Sequence, residues 1–199
     1  IGIKQMAKEI AKKVGKLTIY ADGTFKVGGV VLAYPTLLRA KPVMDNPQPK
    51  FTVAALLPKD THDAEIKALR EFIQNACSEK KLGKLPSDKI CLRDGDDLGK
   101  EAYEPYWRLN MGANETHPPV LRINGEKKNR GADADELEEV CKAGNVGQVL
   151  GSLYLQDNQY GKRANCNLIA VNFSDDFVEI ALGGGTEDDD DIWEDDDDL

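Results

Sequence analysis

Hydrophobic residues in this chain recur mainly at every second position, in short runs that glycine and proline interrupt. A period of two is the spacing that places alternate side chains on one face of a β-strand. We therefore predict a chain built mainly of strands. The predicted strands are residues 17–20, 27–34, 50–57, 106–111, 120–123, 147–156, 165–173 and 177–182.

Three segments show the spacing of three and four residues that is typical of an amphipathic helix. They are residues 3–14, 61–77 and 133–143. We expect the helix at 61–77 to be an insertion between strands.

Glycine and proline set the predicted limits of several strands. Pro35 is expected to end the strand 27–34, and the prolines between 42 and 49 indicate a loop. A second loop is expected at 157–164, and Asn124-Gly125 predicts a tight turn. Short strands with internal glycines favour a mainly β fold with helical insertions, namely an OB-type five-stranded Greek-key barrel over residues 1–182. A β-sandwich is the alternative.

Charge separates the chain into a body and a tail. The chain has 26 basic and 35 acidic residues, for a net charge of −9. Residues 186–199 hold ten of the acidic residues, so the rest of the chain carries 26 − 25 = +1. Such an acidic run has little to bury, and we expect residues 183–199 to be a disordered tail. Its apolar residues Ile192, Trp193 and Leu199 are candidates for partner binding, while a simple solubility role is the alternative.

Composition argues against several other classes. No run of 18 apolar residues exists, so we expect no membrane contact. The chain as given shows no signal peptide, and its four scattered cysteines fit a reducing cytoplasm. They form no CxxC pair, and only two histidines are present, so neither a zinc site nor any other cofactor is expected. Residues 94–105 fail as a calcium loop because Leu98 and Pro105 occupy ligand positions. A metal-dependent nuclease using Asp94, Asp96 and Glu101 stays open.

Strand alternation predicts a free face with tyrosines and cations. Residues 106–111 and 147–156 each place their larger apolar side chains on one side, which leaves the other side outward. Aromatic rings and basic groups on an open sheet suit single-stranded nucleic acid, because bases stack on the rings and cations neutralise phosphates. The predicted DNA-binding residues are Tyr34, Lys41, Lys50, Tyr106, Arg108, Lys127, Lys128, Tyr154, Tyr160, Lys162 and Arg163. No catalytic residue is expected.

Four stretches also carry a family resemblance: 31–35, 50–59, 92–96 and 146–170, the last with Asn158-Gln159-Tyr160-Gly161-Lys162. In this order they resemble the OB-fold single-stranded-DNA-binding proteins of tailed bacteriophages, over most of residues 27–182 and the tail. The resemblance implies a non-catalytic protein that coats single strands during phage DNA replication and recombination in the host cytoplasm. It implies a tail that recruits polymerase, helicase or primase, and it leaves room for a homo-oligomer. It singles out Lys50, Tyr106, Arg108, Tyr154, Tyr160 and Lys162 as ligand contacts.

The tail of this chain differs from the family's usual tail because its aromatic residue, Trp193, is internal and the chain ends in Leu199. We expect the tail to compete with DNA for the body's basic surface. One alternative is an acidic-tailed chaperone or DNA mimic that binds basic proteins. The other is the metal-dependent nuclease.

Overall fold

The computed structural model describes residues 7–43 and 46–180, and within them the chain is mostly strand. The ten strands of these residues are β1 Ile10–Val14, β2 Leu17–Tyr20, β3 Thr24–Val43, β4 Asn46–Pro58, β5 Leu92–Asp94, β6 Tyr106–Asn114, β7 Val120–Ile123, β8 Glu126–Lys128, β9 Asn145–Asn158 and β10 Gly161–Phe177. The two α-helices are α1 Asp63–Glu79 and α2 Ala134–Val140.

Five strands close into a ring in the order β3, β4, β6, β10, β9 and back to β3. All neighbours in the ring are antiparallel except β6 and β10, which meet in parallel at Gly112 and Asn167. If the five barrel strands are numbered in sequence order, the order around the ring is first, second, third, fifth, fourth. This closed Greek-key arrangement confirms the predicted OB-type barrel, and the sandwich alternative is wrong.

The barrel core lies on the side of the strands that alternation predicts. In β4 every second residue from Phe51 to Leu57 is buried, namely Phe51, Val53, Ala55 and Leu57. The helix α1 packs its buried face against this core and lies between the second and third barrel strands, which confirms the predicted insertion.

The predicted helix over 3–14 is wrong for the residues that the structure describes. Residues 10–14 form β1, which pairs with β2 across the turn at Gly15. Gly15 has a φ of +54°, a conformation that glycine adopts without strain. Ile10 and Val14 are four residues apart, a spacing that fits one face of a regular strand as well as one face of a helix.

The predicted strand end at Pro35 and the loop at 42–49 are also wrong where the structure describes them. β3 continues to Val43 and β4 begins at Asn46, which makes a long two-stranded arm. Proline is tolerated in β3 because the register shifts between Ala33 and Thr36, where Tyr34 has a φ of +46°. At this bulge the ladder hydrogen bonds are interrupted, so the backbone N–H that Pro35 lacks is not needed for pairing.

The C-terminal half also has longer strands than the pattern predicts. The expected loop at 157–164 is a tight hairpin, because pairing between β9 and β10 continues to Asn158 and Gly161. The separate strand expected at 177–182 is not formed over residues 177–180, the part that the structure describes. Instead, β10 runs through Asp175 and Asp176 and ends at Phe177. The helix predicted to reach 143 ends at Val140.

Candidate nucleic-acid interface

The outward face of β4 and β6 is the first part of the candidate interface. Register places Lys50 opposite Asn114, and Thr52 opposite Gly112. OB barrels bind oligonucleotides on the second and third strands, between the hairpin of strands one and two and that of strands four and five. In this chain those elements are β4, β6, the β3–β4 arm and the β9–β10 hairpin.

One end of this face is covered, contrary to the prediction that it is open. Tyr103 is 2% exposed and packs with Ala54 and Leu56 of β4. Tyr106 is half-buried beside it, and a DNA contact at Tyr106 stays a prediction. Burial raises the pKa of the Tyr106 hydroxyl, and the charge of Asp60 raises it further. The cover consists of the segment between β5 and β6, which folds back over the strands.

Two arginines lie side by side next to this cover. Arg108 of β6 pairs in register with Arg93 of β5, and both side chains are half-buried. The Arg108 guanidinium carbon lies 5.1 Å from the centre of the Tyr103 ring. The Nε atoms of both arginines are buried without a hydrogen-bond partner.

These unpaired donors make the arginine pair a candidate anion site. Among the described residues, the ion pairs include neither Arg93 nor Arg108. A buried polar group without a partner costs on the order of 1–3 kcal/mol, and a phosphate oxygen would remove that cost. Sequence reasoning placed Arg108 on the DNA-binding face but did not include Arg93. The signal for Arg93 was weak because β5 has three residues, too few to show alternation.

The β9–β10 hairpin carries four predicted residues, but it does not place all of them on one face. Tyr154 is 52% exposed, and Tyr160 at the turn is 79% exposed. Arg163 is opposite Gln156, which is two residues after Tyr154. The side chains of Arg163 and Tyr154 therefore lie on the same face of the hairpin, away from the core. Lys162 is exposed on the opposite face, across from Asp157.

The β3–β4 arm carries the next group. Lys41 is opposite Lys50, and like charges on paired positions repel unless an anion lies near. Lys41 is exposed, and Lys50 is half-buried. Tyr34 is not on the arm's free surface, because it packs against the small cluster around Leu56 and Tyr103.

The predicted lysines of β8 lie in a different part of the sheet. Among the described strands, β8 pairs only with β7, outside the barrel ring. Lys128 forms ion pairs with Glu136 at 2.9 Å and with Glu126 at 3.7 Å. The hydrogen bond to Glu136 is the main reason that the pKa of Lys128 is raised. Lys127 is exposed, and a DNA contact at either lysine stays a prediction.

Two of the three carboxylates proposed for a nuclease form ion pairs with a lysine. The Nζ atom of Lys59 lies 2.7 Å from Asp94 and 3.1 Å from Asp96. Burial alone would raise the pKa of Asp94, but the hydrogen bond from Lys59 leaves it below its usual value. Within residues 7–43 and 46–180, no three carboxylate, histidine or cysteine side chains are placed to share a metal ion. The same residues contain no helix with the length and apolar character to span a membrane.

The three predicted partner-binding residues, Ile192, Trp193 and Leu199, lie outside the described residues, as does the predicted disordered tail. The closed ring and the cationic surface between two hairpins define the class of OB-fold oligonucleotide-binding proteins. The family model described as "Enterobacter phage Enc34, ssDNA-binding protein" matches residues 23–199, and this chain belongs to that family. The family comprises DNA-binding proteins that are not enzymes.

Solved structures of the same type support this assignment. The ssDNA-binding protein from bacteriophage Enc34 in complex with ssDNA matches with 28% identity and a TM-score of 0.76, over 88% of this chain and 98% of that chain. A second structure of the ssDNA-binding protein from bacteriophage Enc34 matches with 26% identity and a TM-score of 0.77, over 93% and 99%. A C-terminally truncated form matches with 28% identity and a TM-score of 0.75, over 89% and 99%. No curated protein sequence matches the chain.

Proposed function

We propose that this protein binds and coats single-stranded DNA with little sequence preference, and protects it during phage DNA replication and recombination in the host cytoplasm. The observation that carries the proposal is the Arg93–Arg108 pair, whose buried Nε atoms have no partner on the protein. Arg108 lies on β6, one of the two barrel strands that bind oligonucleotides in this fold, and Arg93 lies beside it on β5. A related protein at 28% identity has been solved with ssDNA bound.

Two kinds of contact explain the lack of sequence preference. Phosphates are held by the arginine pair and by Lys41 and Lys50 on the β3–β4 arm, which are opposite each other. Bases stack on the exposed rings of the β9–β10 hairpin. Since every base has a π-face and every nucleotide a phosphate, neither contact reads sequence.

A titration of labelled oligothymidine at several salt concentrations tests the phosphate contacts. The logarithm of the affinity should fall with the logarithm of salt by about 0.7 per phosphate neutralised. Replacing Arg93→Gln or Arg108→Gln should weaken binding and reduce that slope by about 0.7 each. The matched control is Arg122→Gln, an exposed arginine on the β7–β8 hairpin. An equal loss in the control would mean that only overall charge matters.

Stacking is tested separately by Tyr154→Ala and Tyr160→Ala. Each should cost about 1–3 kcal/mol of binding, with little change in the salt slope. Phe177→Ala is the control, because Phe177 is 49% exposed at the far end of β10. Unchanged affinity in both tyrosine variants would exclude the hairpin from the interface.

The same titration separates the alternative functions. We expect a stable complex in magnesium with the labelled strand intact. Strand loss in magnesium would instead indicate the nuclease, although Lys59 holds two of its carboxylates. No complex at low salt would favour the chaperone or DNA mimic.

We further propose two functional parts, a DNA-binding domain over residues 1–182 and an acidic tail over 183–199 that recruits replication proteins. Ile192-Trp193 and the terminal Leu199 are the apolar residues of residues 186–199, so they are the groups that a polymerase, helicase or primase can bury. Ile192→Ala with Trp193→Ala should abolish capture of such a partner and leave ssDNA affinity unchanged. If Leu199→Ala alone abolishes it, the chain end is the docking element.

A further inference from the structure

An apolar groove lies away from the barrel strands, between the β1–β2 hairpin and α1. Its volume is about 310 Å³, near the lower limit of ordinary ligand pockets. The hairpin contributes Ala11, Ile19 and Tyr20, and the helix contributes Ala68, Phe72 and Asn75. The groove is thus large enough for one aromatic side chain and an aliphatic neighbour.

The groove lies partly outside the region that defines the family. The family model begins at residue 23, and β1 and β2 precede that residue. β1 also lies outside the barrel ring, since it pairs only with β2 among the described strands. The ssDNA surface proposed above therefore does not use it.

The hairpin side of the groove belongs to a segment that is basic overall. Residues 7–26 contain five lysines against one glutamate and one aspartate, a net charge of 5 − 2 = +3. Lys12 lines the groove, and Lys13 is exposed next to it. The ion pairs of the described residues include neither of them. On the helix side, Glu71 is the one acidic residue of the lining.

We propose that this groove binds the chain's own acidic tail, with Ile192 and Trp193 in the apolar cavity and the flanking acidic residues near Lys12 and Lys13. The tail is complementary in charge to residues 7–26, which carry +3, because five acidic residues precede the apolar pair and five follow it. The indole N–H is a donor only, and Glu71 and Asn75 offer acceptors in the lining.

The same features disfavour another copy of the hairpin as the occupant. Lysines on an edge strand repel an identical edge that approaches them, and an acidic segment meets no such repulsion. The reach is also sufficient. Trp193 follows Ile180, the last described residue, by thirteen positions, which span up to about 45 Å when extended. A folded chain of this length has a radius of gyration of about 16 Å, so the extended tail is about as long as the body is wide.

The test follows the indole N–H signals of the full-length ¹⁵N-labelled protein without DNA. The chain has two tryptophans, and Trp193→Phe assigns the second signal. We expect the Trp193 signal at a shifted position with the slow tumbling of the folded body. Ala11→Glu adds bulk and negative charge to the groove, and it should move that signal to the position of a free indole. Asn75→Glu, on the helix side, should do the same.

Ala132→Glu is the matched control, because Ala132 is exposed and lies outside the groove lining. It should leave the Trp193 signal unchanged. A Trp193 signal at the free-indole position in the unaltered protein would overturn the proposal. So would a signal that moves with Arg108→Gln but not with Ala11→Glu, which would place the tail on the DNA surface. Since DNA is absent, the outcome does not depend on the proposed ssDNA binding.

Discussion

At the scale of single residues, Arg130 connects separate parts of the barrel. Its Nε atom donates to the carbonyl of Leu37 at 2.9 Å, and its terminal nitrogen donates to the carbonyl of Pro119 at 2.7 Å. Its guanidinium carbon lies 4.9 Å from the centre of the Phe51 ring. Burial lowers the pKa of the Arg130 guanidinium.

We predict that Arg130→Ala lowers the free energy of unfolding by about 2–4 kcal/mol, because two carbonyls lose a charged donor and a ring loses its cation. Arg130→Lys should recover only part of this, since an ammonium lacks the planar fork. Urea unfolding measures both. Arg122→Ala is the control, as its bond to Gly125 is exposed, and we expect a change below about 1 kcal/mol. An equal loss in the control would contradict a special role for Arg130.

At the scale of elements, the barrel closes where β9 and β10 meet β6. Gly151 of β9 has no room for a side chain, because an added Cβ would lie 2.7 Å from the Asn167 carbonyl and 2.5 Å from the Met111 side chain. Gly112 of β6 lies at the same closure, yet its added Cβ meets nothing closer than 3.5 Å.

We therefore predict opposite outcomes for two alanine substitutions. Gly151→Ala should destabilise the fold by about 1–3 kcal/mol through overpacking. Gly112→Ala should be close to neutral in thermal unfolding, because the new methyl group makes only ordinary contacts. Comparable losses in both variants would mean that the closure is strained as a whole.

Alternation along a strand was the most informative sequence signal for the elements. It identified the core face of β4 from Phe51 to Leu57 and, with the helical period of α1, the insertion between barrel strands. Alternation was ambiguous for β1, because the spacing of four between Ile10 and Val14 fits one face of a regular strand as well as one face of a helix. The lengths of β3 and β10 depend on pairing with distant strands, which local turn signals do not report.

The interface could be predicted only in part for a related reason. Exposed rings such as Tyr154 and Tyr160 follow from the strand pattern of β9 and from the turn after it. The burial of Tyr106 and the pairing of Arg93 with Arg108 arise from a segment that folds back over β4 and β6. Contacts of that kind are tertiary, and no local periodicity encodes them.

At the scale of the whole molecule, opposite charges are separated along the chain. The net charge is −9 for the whole chain and +1 without residues 186–199. The tail is tethered to the body, so its ten negative charges oppose the approach of ssDNA phosphates in every molecule. We predict that deleting residues 186–199 tightens oligothymidine binding on the order of tenfold at low salt. Since competition between charges is screened, the gain should shrink as salt rises towards ~1 M.

A neutral tail of the same length gives the matched control for this deletion. Replacing the ten acidic residues of 186–199 with asparagine and glutamine retains the chain length and Ile192-Trp193. If charge causes the competition, this variant should bind ssDNA as tightly as the deletion. If it binds as weakly as the full chain, the tail acts through its apolar pair or its bulk. Affinity that is equal in all three proteins at low salt would show that the tail leaves the DNA surface free, and that its acidic residues serve partner binding alone.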